Sequence, residues 1–130
     1  MSRQKLHLSP ETMETCYEML RTTQPFKRWK LPPGEEVVFR TVRSIGRDPA
    51  IYACHISDRQ IINPFKGHHV IDINIKKMWQ LQTFILTMAH EMCHIRESMT
   101  PPYTGSAHGK LFHKLADEVC RIHGFDRGAF

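Results

Sequence analysis

Residues 70–94 have the sequence VIDINIKKMWQLQTFILTMAHEMCH, and this stretch contains the clearest strand and helix patterns of the chain. Residues 71–75 alternate between isoleucine and a polar residue. A period of two is typical of a β-strand with one buried face, so we expect a half-buried strand at 70–75. From Lys77 onward the apolar residues recur at helical intervals, which predicts a long helix that is buried on most sides. This helix must end near Thr100, because two prolines follow it.

The residues before this stretch predict a helix and then two strands. Ser9 and Pro10 are typical of a helix start, and apolar residues at helical spacing follow as far as Leu20. We expect that helix to end before Pro25 and the segment 26–34 to be a loop with an aromatic anchor. The β-branched run at 36–42 predicts a strand, and 51–56 is expected to return beside it as a hairpin.

A second helix is predicted downstream of the prolines, from about Ser106 to Gly124. Its core-facing residues are expected to include Leu115 and Ile122. The order of elements is a helix, several strands and two helices, which defines an α+β domain with a small, mostly antiparallel sheet. The length of 130 residues fits one domain spanning 1–130, for which residues 70–124 carry the strongest signals.

Composition excludes several classes of protein. The apolar fraction of 41% and the charged fraction of 24% are those of a globular domain. The net charge of +5 is modest and its basic residues are scattered, so it is compatible with a nucleic-acid partner without establishing one. The four cysteines form no Cys-x-x-Cys pair, which excludes a zinc ribbon, and three of them are expected to be buried. No signal peptide or membrane-spanning segment is evident, so a cytoplasmic location is expected.

Residues 90–94 form a His-Glu-x-x-His motif on the predicted helix. Positions four apart lie on one helical face, so His90 and His94 can bind one metal ion. Neutral imidazole nitrogens favour zinc, and one zinc ion per chain is expected. Glu91 is placed beside the ion rather than on it, as a general base that takes a proton from a metal-activated water.

A hydrolytic zinc site needs a third protein ligand and an open fourth position. His108 is the first candidate, because it opens the second predicted helix fourteen residues after His94. His113 is the second candidate and Glu118 the third. The choice among them stays open from spacing alone.

The motif at 90–94, followed by His108-Gly109-Lys110-Leu111-Phe112, resembles the SprT-like metallopeptidase domain. That family pairs a His-Glu-x-x-His helix with a downstream His-Gly-x-x-aromatic segment that supplies the third ligand. The resemblance implies a zincin-like fold, a metallopeptidase activity, His90, His94 and His108 as zinc ligands, and Glu91 as base. Its Spartan members digest proteins crosslinked to DNA, which makes DNA-associated proteins one expected substrate class.

Three further expectations concern the substrate. Tyr103, which lies on the loop between the two zinc helices, and His113 are alternative candidates for a second donor to the carbonyl oxygen that becomes anionic. The strand at 70–75 is expected to pair with an extended protein or peptide substrate. The remaining histidines outside the motif are interpreted as exposed polar residues: His7, His55, His68, His69 and His123.

Three alternatives to a peptidase remain. The first is a zinc hydrolase that acts on a nucleotide or another small molecule, because the motif specifies the metal and the base but not the substrate. The second is a non-catalytic, zinc-containing DNA- or protein-binding module, against which the intact Glu91 argues. A third alternative is that no metal binds and that the histidines lie on a core helix by coincidence.

Overall fold

The computed structural model describes residues 7–45, 52–57, 69–78, 80–100 and 108–130. Two helices come first, three strands follow and two further helices end the order, which agrees with the expected α+β class. They are α1 (Pro10–Arg21), α2 (Phe26–Trp29), β1 (Val37–Val42), β2 (Ala53–Ser57), β3 (His69–Asn74), α3 (Leu81–Ser98) and α4 (Lys110–His123).

The three described strands form one mixed sheet in the order β1-β3-β2. β1 is parallel to β3, with Val37 opposite His69, and β2 is antiparallel to β3, with Ala53 opposite Ile73. The expectation of a mostly antiparallel sheet is therefore wrong, and so is the hairpin between the first two strands. The reason is that β3 is buried at every position, and a strand buried on both faces belongs at the centre of a sheet.

The central position of β3 corrects two further predictions. Its two edges are already hydrogen-bonded to β1 and β2, so it cannot take a peptide as an added strand. It is also not half-buried, because Asp72 and Asn74 are buried together with Ile71 and Ile73, whereas Ile75 follows the strand and is 36% exposed. Asp72 is tolerated there because Arg40 of β1 donates to both of its carboxylate oxygens, at 2.6 and 2.7 Å.

Local signals predicted α1 correctly. The side chain of Ser9 accepts a hydrogen bond from the backbone N–H of Thr12 at 3.2 Å, and the helix ends at Arg21, before Pro25. The segment after it is not only a loop, because α2 forms a short helix there. Its two aromatic residues, Phe26 and Trp29, are buried and pack edge to face at 5.2 Å between ring centroids.

The two helices of the predicted site are shorter than expected at their starts. α3 begins at Leu81, which is 58% exposed, and it contacts α1, β2 and α4. α4 begins at Lys110 and ends, as predicted, at Gly124, whose φ of 75° lies in the left-handed region. Ile122 is 41% exposed, so its expected place in the core is wrong, whereas Leu115 is buried.

The core collects residues from all four helices and from β1 and β3. Three cysteines are buried free thiols, as expected: Cys16, Cys93 and Cys120. In the described part of the chain, no helix has the length and apolar character needed to cross a membrane.

Candidate metal centre

His90 and His94 project from the same face of α3 because they are four residues apart in an unbroken helix. Their Nε2 atoms are 3.2 Å apart. Two nitrogens bound at about 2.0–2.1 Å to one tetrahedral zinc ion stand about 3.3 Å apart, so the observed spacing matches that of a ligand pair. Two neighbouring nitrogen lone pairs repel unless a proton or a metal ion lies between them.

His108 completes a cluster of three histidines. It lies two residues before α4, and its ring centroid is 5.1 Å from that of His94 and 5.3 Å from that of His90. One ring nitrogen from each of the three residues lies within 4.8 Å of the others, so these three histidines could bind a metal ion.

The other two candidates for the third ligand lie outside this cluster. His113 is exposed on α4 and its Nδ1 accepts a hydrogen bond from Arg127 at 2.8 Å. Glu118 forms an ion pair with Arg28 of α2. Of the three candidates, the structure therefore brings only His108 to the pair on α3.

The second ring nitrogen of each histidine on α3 has its own partner. Nδ1 of His90 donates to the main-chain oxygen of Phe130, which can only accept, and Nδ1 of His94 lies 3.3 Å from Oε1 of Glu97. These contacts hold the proton on Nδ1 and leave each Nε2 lone pair facing the cluster. Metal-binding histidines usually have such a partner, which orients the ring.

Both rings on α3 favour the neutral form that binds metals. Burial lowers the pKa of His90. Burial, followed by the neighbouring rings of His90 and His108, lowers the pKa of His94 to about 3. The contact between His94 and Glu97 is consequently a hydrogen bond from a neutral imidazole rather than an ion pair.

Glu91 is buried beside the cluster, with 3% of its surface exposed. Burial, and secondarily the Asp72 carboxylate, raises the pKa of Glu91 to about 8. Its Oε2 atom has no hydrogen-bond partner among the described residues. A buried carboxylate oxygen without a partner is costly, and such a cost is typical of functional sites. This oxygen is therefore suited to a small polar molecule held at the histidines.

The aromatic ring of Phe112 packs against the cluster of three histidines. Its ring stacks on His94 at 4.5 Å and 19°, and its centroid lies within 5 Å of those of His90 and His108. The aromatic position of the His-Gly-x-x-aromatic segment therefore packs against all three rings.

Sequence reasoning missed two residues that contact His90 and His94 and orient their rings. Glu97 carries a signal that could have been used, because it follows His94 by three residues on the same helix. Phe130 carries none, since it reaches His90 from forty residues further along the chain.

The remaining histidines are less exposed than expected. His69 is buried in β3, and its Nδ1 lies 2.8 Å from Nε2 of the half-buried His55 on β2. Burial, followed by His69 and His94, lowers the pKa of His55 to about 3. His123 contacts Thr23 and stacks on Phe125. Among those of the remaining histidines that the structure describes, only His7 is exposed as predicted. His68 and the candidate donor Tyr103 lie outside the described residues.

Comparison of the chain with models of known protein families, with curated proteins and with solved structures gives no significant match. The assignment of a function therefore depends on the site itself.

Proposed function

We propose that this protein is a zinc-dependent metallopeptidase of the SprT-like type, with a zincin-like fold. His90, His94 and His108 would hold one zinc ion, and Glu91 would be the general base. The observation that carries the proposal is the combination of three convergent imidazole nitrogens with a buried glutamate that has an unpaired oxygen. Imidazole nitrogens suit zinc, burial favours the neutral form of His90 and His94, and three ligands leave the open fourth position that hydrolysis needs.

When bound, zinc would supply Lewis-acid polarisation of the scissile carbonyl and of a nearby water molecule. Glu91 takes a proton from that water as it attacks, and returns the proton to the leaving amine. Burial raises the pKa of Glu91 to about 8, so without a cation its carboxyl group is largely protonated near neutral pH. A cation at the histidines favours the charged form of this carboxylate, so the base is available near neutral pH.

Other residues of the chain keep the ligands in place. The ring of Phe112 packs against all three imidazole rings. Glu97 and the Phe130 main chain hold the rings of His94 and His90 in the required orientation.

The first test measures metal content by plasma mass spectrometry in the wild type, in His108→Ala and in His113→Ala. We expect one zinc per chain in the wild type and in His113→Ala, and most of it lost in His108→Ala. His113→Ala is the matched control, because it removes an imidazole from the neighbouring helix without touching the cluster. A zinc-free wild type, after incubation with zinc, would refute a zinc site.

The second test measures cleavage of denatured casein, with and without DNA, and hydrolysis of nucleotides as the competing substrate class. The Glu91→Gln variant keeps the size of the side chain but removes the base. We expect it to bind zinc and to lose at least a hundredfold in casein cleavage. Nucleotide hydrolysis without casein cleavage would replace the peptidase by a small-molecule hydrolase. A biological activity unchanged by Glu91→Gln would identify a non-catalytic module.

A further inference from the structure

A cavity of about 340 Å³ opens beside the metal centre, with His90 and Glu91 at one end. Leu86 and Thr87 lie along it because each is one helical turn before one of these residues on α3. The remaining walls come from Tyr52, before β2, and from the C-terminal turn that includes Phe130. We call this cavity the Leu86 pocket.

The Leu86 pocket continues away from the metal centre. A second cavity of about 550 Å³ shares its lining at Tyr52, Leu86, Thr87 and Ala129. The two cavities together form one groove along α3, between β2 and the C-terminal turn. The groove therefore begins at the general base and has room to extend beyond it.

The lining of the Leu86 pocket is mostly apolar. Beside His90, Glu91 and Thr87 it consists of Leu86, Tyr52, Phe130 and two alanines. Among the described residues that line it, Glu91 is the one charged group. Because Glu91 lies beside the cation proposed at the histidines, the net charge at that end is positive, and a lysine side chain placed there would lose its hydration without a net attraction, which is costly. Volumes of roughly 300–1,000 Å³ are those of ligand pockets, so a branched or aromatic side chain can enter.

The position of Glu91 decides which side of the cleaved bond faces the pocket. A base that returns its proton to the leaving amine must lie beside that nitrogen. The nearest substrate side chain is the one on the residue that carries this nitrogen. The pocket that Glu91 lines is therefore placed to receive the residue that follows the cleaved bond.

We propose that the Leu86 pocket binds the side chain of the substrate residue that follows the cleaved bond and selects large apolar residues there, leucine and phenylalanine above alanine or lysine. This specificity rests on the proposed peptidase function. It makes Leu86 and the C-terminal turn specificity-determining parts of the site.

The test compares peptides that differ only in the residue after the cleaved bond. We expect kcat/KM of the zinc-loaded wild type to be at least tenfold higher for leucine or phenylalanine than for alanine or lysine. Ala129→Trp should remove most of this preference, because Ala129 is an exposed turn residue whose enlargement fills the pocket. Met19→Trp is the control, since it adds the same ring to a side chain that is 67% exposed on α1. Equal cleavage of leucine and lysine peptides, or a preference unchanged by Ala129→Trp, would overturn the proposal.

A binding measurement separates failure of the pocket from failure of the peptidase. N-acetylphenylalanine amide is titrated into zinc-loaded protein and compared with N-acetyllysine amide, while backbone amide resonances are followed. We expect the phenylalanine probe alone to shift the resonances of Leu86, Thr87 and Ala129. Binding without peptide cleavage would keep the apolar selectivity and refute the peptidase. Cleavage without this binding would keep the peptidase and refute the pocket, and the absence of both would refute both.

Discussion

Glu97 follows His94 by three residues on α3, and its Oε1 lies 3.3 Å from Nδ1 of that histidine. Replacing Glu97 by alanine removes the acceptor that orients the ring, so we expect weaker zinc binding. Loss of such a partner typically costs 10–100-fold in metal affinity. The 3.3 Å distance is at the long end of the hydrogen-bond range, which favours the lower part of that interval. We therefore expect about a tenfold loss, or about 1.4 kcal/mol of binding free energy.

The fold itself should tolerate this change. Burial raises the pKa of Glu97, which means that its charged form is unfavourable in the folded state. Removing the carboxylate removes this unfavourable free energy, which offsets the stabilisation lost with the packing contacts of the Glu97 side chain. The free energy of unfolding of the metal-free protein should then change by no more than about 1 kcal/mol.

The assay is competition for zinc against a chromophoric chelator at pH 7. Glu97→Gln retains an acceptor oxygen and should bind zinc more tightly than Glu97→Ala. Glu11→Ala, which removes an exposed carboxylate from α1, controls for the change in net charge. A dissociation constant for Glu97→Ala within twofold of the wild-type value would refute the orienting role.

The other predictions concern the core and its thiols. Ile71→Ala in the central strand should cost about 2–5 kcal/mol in urea unfolding. The exposed Leu81→Ala should change stability by less than about 0.5 kcal/mol, and equal effects would contradict the core assignment. Tyr17→Phe leaves the carbonyl of Pro32 without its 2.6 Å donor, which should cost about 1–3 kcal/mol; an unchanged urea midpoint would contradict this. Burial raises the pKa of the Cys16 thiol to about 11, and the thiols of α3 and α4 are buried as well. All three should therefore resist disulfide reagents at pH 8 until urea is added, and peptide mass mapping would show which cysteines react.

The sequence alone determined the features that depend on neighbours within one or two helical turns. Ser9 and Pro10 predict the start of α1, and Gly124 predicts the end of α4. The helical period places His90 and His94 on one face, whatever the rest of the chain does. These predictions succeed because capping and periodicity are local properties of the backbone.

The contacts between segments far apart in sequence became known only from the tertiary structure. Strand order was not predictable, because the alternation in β3 is equally compatible with an edge strand, and its burial depends on helices elsewhere in the chain. The choice of His108 over His113 depends on how α4 approaches α3, since both histidines lie close together in sequence. Phe130 reaches His90 across forty residues, and no local pattern encodes that contact. Pairings at such separations are set by the packing of the whole core, which short-range periodicity does not specify.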